Sequence, residues 1–419
     1  MRGIRGAAAL GAAFLLALAF GVSSATASRL PRTGRMLVYT QGFSLRIWDP
    51  INGVHQIDSG VGSGGSPSIT SDGRLVAYGK NDGHGCYTIH VWDTQLRRLV
   101  RSLGALGTPG QCNDATHISP DGKFLVWSSA GAASGDAADI YLYDIATAQR
   151  ITLPAAINTG IEGSPSLAHS SDGHYLLSYI QGNLGGWDQV TVADLGVDPP
   201  TTAGAATLLP TSGLPVPADG HSAQEQAQIS ADGSTIAYVT GPELGTRVWI
   251  YDRAAGSSTS PAVLSAPNYE QSPSISASGR YVVVERERSN ELVGHMWVFD
   301  RQTGSFTPQS PTWAGGGETL PAIADPAILV DITPPKLALK CSRKAAKVSC
   351  TLTVNEPITG TATLLVGRHK KAARSLRASA PRVIRFKLSL GRAVAKHLSL
   401  TVAVKDTSGN AARASAGVR

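Results

Sequence analysis

Long apolar runs, enzyme motifs and, over the last 84 residues, acidic side chains are scarce in this sequence. After residue 28 no apolar run reaches the ~20 residues that a membrane-spanning helix needs, which excludes such a helix there. The chain contains no Gly-x-Ser-x-Gly elbow, no His-Glu-x-x-His and no phosphate-binding Gly-rich Lys-Ser/Thr loop. The sequence thus lacks the motifs of common hydrolases and nucleotide-binding enzymes.

The charges divide the chain into two parts. From Arg29 to Pro335 there are 17 Lys and Arg against 28 Asp and Glu, a balance of −11. From Lys336 to Arg419 there are 18 against 2, a balance of +16. Regions so different in charge are expected to be separate domains, which we place at residues 33–332 and 336–419.

The first residues resemble an export signal. Arg2 and Arg5 precede an apolar run from Ala7 to Val22 and the small residues Ala25-Thr26-Ala27. This order predicts a signal peptide over residues 1–27, and hence a secreted or cell-envelope protein. A membrane anchor is the alternative, but the Ala-rich run is short for a spanning helix.

A turn and a following apolar run recur along the acidic part of the chain. The 46 Gly and 24 Pro spread through the sequence already disfavour long helices. Asp-Gly favours tight hairpins because Gly adopts positive φ without a Cβ clash. The repeated turns are Asp72-Gly73, Asp121-Gly122, Asp172-Gly173, Asp232-Gly233 and the variant Ser278-Gly279.

A second strand follows each turn and ends in an acidic residue 20 to 23 positions later, as at Asp93 and Asp144. Aliphatic residues stand two and four positions before that acid in all six copies, from Leu45 and Ile47 onward. This alternation predicts one buried face on a β-strand, repeated six times.

The two ends of the repeat complement each other. The first copy, from Thr33, lacks a preceding strand, and Leu320-Pro321-Ala322-Ile323 supplies one at the end. Repeats of this length form radial blades. We predict an all-β fold, a six-bladed β-propeller closed by an N-/C-terminal strand velcro, followed by a small β-sandwich.

The recurring motif Ser-Pro-x-x-Ser-x-Asp-Gly, found in close form at Ser66–Gly73, resembles the TolB-like and WD-like propeller repeat. The resemblance covers roughly residues 33–332, and it implies the fold while saying little about activity. TolB proteins carry an extra N-terminal domain that this chain has no room for after its signal. The resemblance therefore does not imply a role in the Tol system.

The sequence of the basic tail predicts a second β domain. Its short alternating runs predict strands at 337–341, 348–354, 362–366, 383–388 and 398–404. The opening Asp-x-Thr-Pro-Pro resembles the start of immunoglobulin-like domains of secreted bacterial proteins. Cys341 and Cys350 would lie on neighbouring strands and form a disulfide in an oxidising compartment.

Carboxylates recur in the loops that enter the innermost strands. Five of six copies carry one, namely Asp114, Glu162, Glu225, Glu270 and Glu318. They predict an acidic channel mouth that attracts a cation or a basic partner. The alternative is that they cap backbone N–H groups and orient loops.

Further candidates lie on the same predicted face. Trp187 and Trp313 fall in its loops and could stack on a sugar or a peptide, or pack in the rim. Cys86 and Cys112 also lie there, and a disulfide is favoured over a zinc site because the compartment oxidises thiols. No cofactor is predicted, although a divalent cation at the channel mouth stays an open alternative.

The tail offers a cationic site. Arg368, Lys370, Lys371 and Arg374 are predicted to share a loop suited to an anionic cell-wall polymer. A solvated face is one alternative, and docking of the tail on the acidic propeller is another.

We therefore predict a binding or scaffold protein without catalytic activity, which recognises a protein, a peptide or an envelope glycan. Nucleic acid is not an expected partner for an exported chain. The alternative is a carbohydrate-active or hydrolytic enzyme with its site at the channel mouth.

Overall fold

The structure, a computed structural model, describes the greater part of residues 32–418. The description omits residues 62–65, 83–85, 105–111, 131–137, 184–185, 198–206, 210–223, 241–245, 262–267, 289–293, 309–317, 330–333, 368, 391–397 and 407–409. The predicted signal peptide, residues 1–27, also lies outside the described residues. No described helix is both long and apolar enough to cross a membrane.

The chain divides into two compact units, with the boundary between Ile332 and Thr333. The first unit contains six four-stranded antiparallel sheets. Sheet 1 holds β1 (Arg32–Gln41), β2 (Ser44–Asp49) and β3 (Gly53–Ser59). Sheet 2 holds β4 (Ser68–Ile69), β5 (Leu75–Asn81), β6 (Tyr87–Asp93) and β7 (Arg98–Leu103). Sheet 3 holds β8 (Cys112–Ile118), β9 (Phe124–Ala130), β10 (Asp139–Asp144) and β11 (Gln149–Ile151).

The next three sheets repeat this order. Sheet 4 holds β12 (Ile161–His169), β13 (His174–Asn183), β14 (Gly186–Val197) and β15 (Thr207–Leu209). Sheet 5 holds β16 (Gln224–Ile229), β17 (Thr235–Thr240), β18 (Arg247–Asp252) and β19 (Ser257–Thr259). Sheet 6 holds β20 (Asn268–Ile275), β21 (Tyr281–Arg288), β22 (His295–Asp300) and β23 (Ser305–Pro308).

The fourth strand of sheet 1 comes from the far end of the unit. This strand, β24 (Glu318–Leu329), pairs antiparallel with β1, with Ala322 opposite Val38 and Ile323 opposite Leu37. We call β4, β8, β12, β16, β20 and β24 the inner strands. Each inner strand contacts the inner strand of the next sheet, and β24 contacts both β20 and β4.

The predicted turn chemistry is present in the structure. Gly73 has a φ of 73°, and an added Cβ would lie 2.6 Å from the Cβ of Ala327. The Thr70 hydroxyl and the Arg74 N–H both donate to the Asp72 carboxylate, at 2.6 and 2.9 Å. The turn therefore needs Gly for its backbone and Asp for its unpaired donors.

The predicted buried columns are confirmed. The aliphatic residues of β2, β6, β10, β14, β18 and β22 that precede the terminal acid are all buried. The acid itself caps the following turn, since Asp93 Oδ1 accepts the N–H groups of Gln95 and Leu96 at 2.9 and 2.8 Å. One strand thus carries both the core residues and the cap of the next turn.

Hydrophobic clusters join each sheet to its neighbour. Cluster residues of sheet 2, such as Val91, pack with Trp127 of sheet 3. Another cluster combines Leu37 of β1, Val283 of sheet 6 and Ile323 of β24. The core of this unit therefore lies between the sheets, where the alternating strand faces meet.

Polar side chains also link successive inner strands. The Ser68 hydroxyl accepts the N–H of Ile118 at 2.8 Å, and the Ser166 hydroxyl accepts that of Ile229 at 3.3 Å. His117 accepts the N–H of Leu167 through Nδ1 at 3.2 Å. These bonds satisfy inner-strand amides that have no partner in their own sheet.

The second unit contains two more antiparallel sheets. Its strands are β25 (Leu337–Lys344), β26 (Lys347–Val354), β27 (Ile358–Val366), β28 (His369–Ala378), β29 (Arg382–Ser389), β30 (Leu398–Asp406) and β31 (Ala411–Val418). Sheet 7 has the order β25-β26-β29, and sheet 8 the order β28-β27-β30-β31. Side chains of both sheets, including Leu352 and Leu400, form one buried cluster.

The predicted Cys341–Cys350 disulfide is present. The two residues stand directly opposite each other on β25 and β26. Cys86 is disulfide-bonded as well. The side chain of Cys112 lies outside the described residues, so its pairing with Cys86 stays a prediction.

Candidate functional site

Four of the six inner strands, β12, β16, β20 and β24, share a backbone irregularity. Ser164, Gln226, Ser272 and Leu320 occupy equivalent positions and have positive φ values of 46° to 50°. At each of them the register with the next strand shifts, as a β-bulge does. Non-Gly residues in this conformation are uncommon and are concentrated at functional sites.

A cleft of about 240 Å³ lies where the bulges meet. Its lining includes residues of all six inner-strand segments, namely Ser66, Pro67, Thr116, His117, Ser164, Pro165, Gln226, Ala227, Gln228, Ser272, Pro273, Leu320 and Pro321. Among the described residues, this lining consists of hydroxyl, amide, proline and imidazole side chains with the aliphatic Ala227 and Leu320, and it includes no carboxylate, Lys or Arg. The cleft can therefore form hydrogen bonds with an uncharged partner.

His117 does not make the cleft cationic. Burial lowers the pKa of His117 to about 4, so the ring is neutral at pH 7. Because Nδ1 accepts from Leu167, Nε2 carries the proton and lies 3.2 Å from the Ser166 hydroxyl. The imidazole is thus oriented between two neighbouring inner strands.

Three of the five predicted carboxylates, Glu162, Glu270 and Glu318, are buried and so do not contribute to an exposed mouth. Glu162 lies within β12, fully buried, and its Oε1 accepts the N–H groups of Thr159 and Gly160 at 2.9 and 2.7 Å. Burial raises the pKa of Glu162, and these two hydrogen bonds partly oppose the rise. Loop capping, the alternative interpretation of the sequence, therefore describes the role of Glu162.

Glu270 and Glu318 are buried in the same way. Glu270 lies in β20 and accepts the N–H of Val248, in sheet 5, at 3.0 Å. Burial raises the pKa of Glu270. Glu318 begins β24, and its Oε1 accepts from the Gln41 amide of β1 at 3.2 Å. These carboxylates lie within strands and not in entering loops, because each inner strand extends further back than its apolar run indicated.

The remaining candidates of this face are only partly described. Asp114 lies in β8 and Glu225 in β16, opposite Ser128 and Val239. Trp187 lies in β14 and not in a loop, because the β13–β14 hairpin continues to Asn183 and Gly186. The side chains of Asp114, Glu225 and Trp187 lie outside the described part of the structure. Trp313 lies outside the described residues.

The tail cations lie on a strand and not in a loop. Lys370, Lys371 and Arg374 belong to β28 and are exposed, whereas Arg368 lies outside the described residues. The prediction missed β28 because its alternate positions are cationic or small and show little hydrophobic contrast. No group of three or more His, Cys, Asp or Glu is placed to hold a metal ion in the part of the chain that the structure describes.

The cleft residues were not singled out from the sequence. Their signal was the repeated x-Pro pair at Ser164-Pro165, Ser272-Pro273 and Leu320-Pro321, which marks the bulge in three of the four described copies. It looked like part of the turn motif because the pair stands only a few residues before the turn, as Ser272-Pro273 does before Ser278-Gly279.

Six sheets of this kind in series define an all-β protein of the β-propeller class. No protein-family model matches the chain, and no curated protein matches it. Among solved structures, the hydrazine synthase of Kuenenia stuttgartiensis matches with a TM-score of 0.50 and 10% identity over 93% of this chain and 68% of that one. TolB from Acinetobacter baumannii matches with a TM-score of 0.48 and 22% identity over 70% of this chain. That match takes in 66% of the TolB chain, just under two thirds of its length.

A third match is to a nidogen/laminin complex, with a TM-score of 0.46 and 11% identity over 70% of this chain and 100% of that one. At these identities the likeness concerns the fold alone. The matched structures include an enzyme and binding proteins, so they leave the function open.

Proposed function

We propose that this chain is a secreted or cell-envelope binding protein built on a closed, TolB-like six-bladed β-propeller. The contacts of β24 with β20 and β4 support ring closure, as does the hydrophobic cluster between sheets 6 and 1. The basic tail is an immunoglobulin-like β-sandwich, which the cluster shared by sheets 7 and 8 supports. The tail anchors the protein to an anionic surface, and the propeller recognises a second partner.

One observation carries the recognition role. The central cleft draws on all six inner strands and offers neutral hydrogen-bonding groups at bulges that cost about 1–3 kcal/mol each. The partner is therefore an uncharged segment of a protein, a peptide or a neutral glycan. The hydroxyl and amide groups of the cleft can form hydrogen bonds with the hydroxyl and amide groups of such a partner. The cleft therefore needs neither an acidic nor a cationic side chain to select that partner.

Filling the cleft tests this proposal. The whole chain from residue 28 is screened against arrays of uncharged peptides and neutral glycans, and the best ligand is measured by calorimetry. Gln228→Trp, which places an indole in the cleft, should weaken that ligand by at least about tenfold, or about 1.4 kcal/mol. Leu99→Trp on the exposed strand β7 is the matched control and should bind normally. Equal affinities for both variants would refute the cleft as the recognition site.

A further inference from the structure

The outer face of sheet 7 carries an ordered set of cations. On β25, β26 and β29 every second residue points away from the shared core and is exposed or half-buried. Five of these outward residues are cationic, namely Lys340, Lys344, Lys347, Arg385 and Lys387. These five cations lie on strands other than β28, which carries three of the tail cations picked out from the sequence.

The register arranges these side chains in rows. Lys340 stands opposite Thr351, which stands opposite Arg385. In the next row Ser342, Ser349 and Lys387 follow one another in the same way. Adjacent strands lie about 4.8 Å apart, and successive outward residues about 7 Å apart. Long cations therefore border a central line of short hydroxyl side chains on β26.

A depression of about 540 Å³ adjoins these rows. Six of its lining residues are outward residues of sheet 7, namely Lys340, Ser342, Ser349, Thr351, Arg385 and Lys387. The other four are Cys341, Cys350 and Phe386, which alternate with them along the strands, and Arg374 of β28. Cationic and hydroxyl side chains therefore border the depression, and sheet 8 contributes one further cation.

No acid of the tail lies in β25, β26 or β29. The tail has two acidic residues, Glu356 and Asp406. Asp406 is buried and accepts hydrogen bonds from Asn410, and Glu356 lies in the connection between β26 and β27. Lys344 and Lys347 even stand directly opposite each other, a like-charge pair that destabilises a sheet. The stability of the sheet therefore does not explain why both positions are Lys.

We propose that this face binds a linear polymer of repeating phosphodiester groups, a polyol phosphate of the cell envelope, lying along β26. Four of the five cations are Lys, which bind phosphate as point charges, and the fifth is Arg, whose planar fork matches phosphate oxygens. Ser and Thr hydroxyls are typical donors to phosphate oxygens. The outward positions of β25, β26 and β29 carry no aromatic residue on which nucleobases could stack and, apart from Val383, no large apolar residue to enter a bilayer.

This inference rests on the anchoring role proposed above and gives it a site and a ligand. Binding of labelled poly(glycerol phosphate) to the whole chain from residue 28 is measured by fluorescence anisotropy between about 50 and about 200 mM salt. The logarithm of the affinity should fall linearly with the logarithm of the salt concentration. Lys340→Gln with Lys387→Gln should weaken binding about tenfold at low salt and reduce the slope by about 1.4, at ~0.7 per lost contact.

Two double variants remove the same charge elsewhere. Lys405 and Arg413 are exposed on the outer face of sheet 8, and their replacement by Gln should weaken binding less than about twofold. Lys370→Gln with Lys371→Gln tests the cations of β28 and should behave like this control. Equal losses in all three variants would show nonspecific attraction and overturn the proposal.

The outcomes separate this site from the broader function. Polymer binding that is insensitive to the sheet 7 variant refutes this face but leaves the tail as an anchor. Absence of polymer binding by the unmodified chain refutes both this site and the anchoring role, while the cleft experiment still tests recognition by the propeller. Tighter binding to single-stranded DNA or to anionic phospholipid vesicles through the same lysines would overturn the choice of polymer.

Discussion

The Tyr175 hydroxyl donates a hydrogen bond to the Asp121 carboxylate and so joins β13 of sheet 4 to the Asp-Gly turn of sheet 3. Tyr175 is fully buried, and Asp121 also accepts from the Ser119 hydroxyl at 2.7 Å and the Lys123 N–H at 3.2 Å. Burial raises the pKa of Asp121, but these hydrogen bonds outweigh it and the net pKa is lowered. One phenol therefore links two sheets through an ionised turn residue.

Removing that phenol should weaken the junction between the two sheets. Tyr175→Phe is expected to lower the free energy of unfolding by about 2 kcal/mol, since the lost bond has a charged acceptor. Tyr238→Phe is the matched control, because its hydroxyl donates to the neutral Ser258 within its own sheet at 3.1 Å. It should cost about 1 kcal/mol. Urea unfolding followed by fluorescence measures both, and equal losses would contradict the role given to Asp121.

The buried Glu162 carboxylate should oppose folding at neutral pH. Its Oε2 has no hydrogen-bond partner among the described residues, and burial raises its pKa. When the pKa of an acid is higher in the folded than in the unfolded state, the free energy of unfolding falls as the pH rises from the unfolded-state pKa to the folded-state pKa. Glu162→Gln keeps an acceptor for Thr159 and Gly160, so its free energy of unfolding should rise relative to the native chain between pH 4 and pH 7, roughly the range of such titrations.

Glu162→Ala provides the contrast. It removes the acceptor of two backbone N–H groups and should cost about 1–3 kcal/mol for each that stays unsatisfied. Denaturant titrations over the same pH range measure both variants. A Gln variant as unstable as the Ala variant would indicate that the negative charge itself is needed.

The Arg280–Asp300 pair should give sheet 6 an acid-sensitive contribution. Two parallel bonds of 2.9 and 2.7 Å join the guanidinium to the carboxylate. The hydrogen bond from Arg280 lowers the pKa of Asp300 to about 2. The stability from a lowered acid pKa is present above the ordinary pKa of 3.8 and is lost as pH falls towards about 2.

As the pH is lowered over this range, the free energy of unfolding of Arg280→Gln should therefore fall less than that of the native chain. Thermal unfolding in a series of acidic buffers measures the difference. Arg413→Gln removes an exposed cation of β31 and should keep the native pH profile. A native-like acid profile in Arg280→Gln would argue against the pair.

The β1–β24 junction should be part of the main unfolding transition. Ile323 is 3% exposed and lies among Leu37, Tyr39 and Val283. Ile323→Ala should cost about 2–5 kcal/mol, as for other large-to-small core changes. Calorimetry should show one propeller transition at lower temperature. A separate, early transition confined to β1 and β24 would contradict a closed ring.

The strands that sequence analysis located are those in which period-two burial coincides with a specific turn. Asp-Gly at Asp72 fixes a hairpin because both residues satisfy backbone requirements, and the column through Val91 fixes the buried face. The turn recurs five times and the buried column six times, so both can be recognised without a structure. The Cys341–Cys350 disulfide followed from the alternation of β25 and β26 in the same way.

What escaped prediction depends on contacts between distant residues. The carboxylate of Glu162 looks the same in sequence whether it meets solvent or caps the loop before it, and burial decides between the two. The bulges at Ser164 and Gln226 are equivalent, but only Ser164 is followed by Pro, so the two share no common sequence signal. β31 was missed because Ala411–Val418 consists mostly of small residues without contrast between its faces.

The pairing of β1 with β24 has a consequence for folding. Residues 37 and 38 pair on one side with β2, which follows at once along the chain, but on the other side they pair with residues 322 and 323 near the end of the repeat. Until β24 has been made, one edge of β1 is unpaired and open to other chains, which is a known route to aggregation. We expect the newly made chain to need protection of this edge until the last strand of the repeat is available.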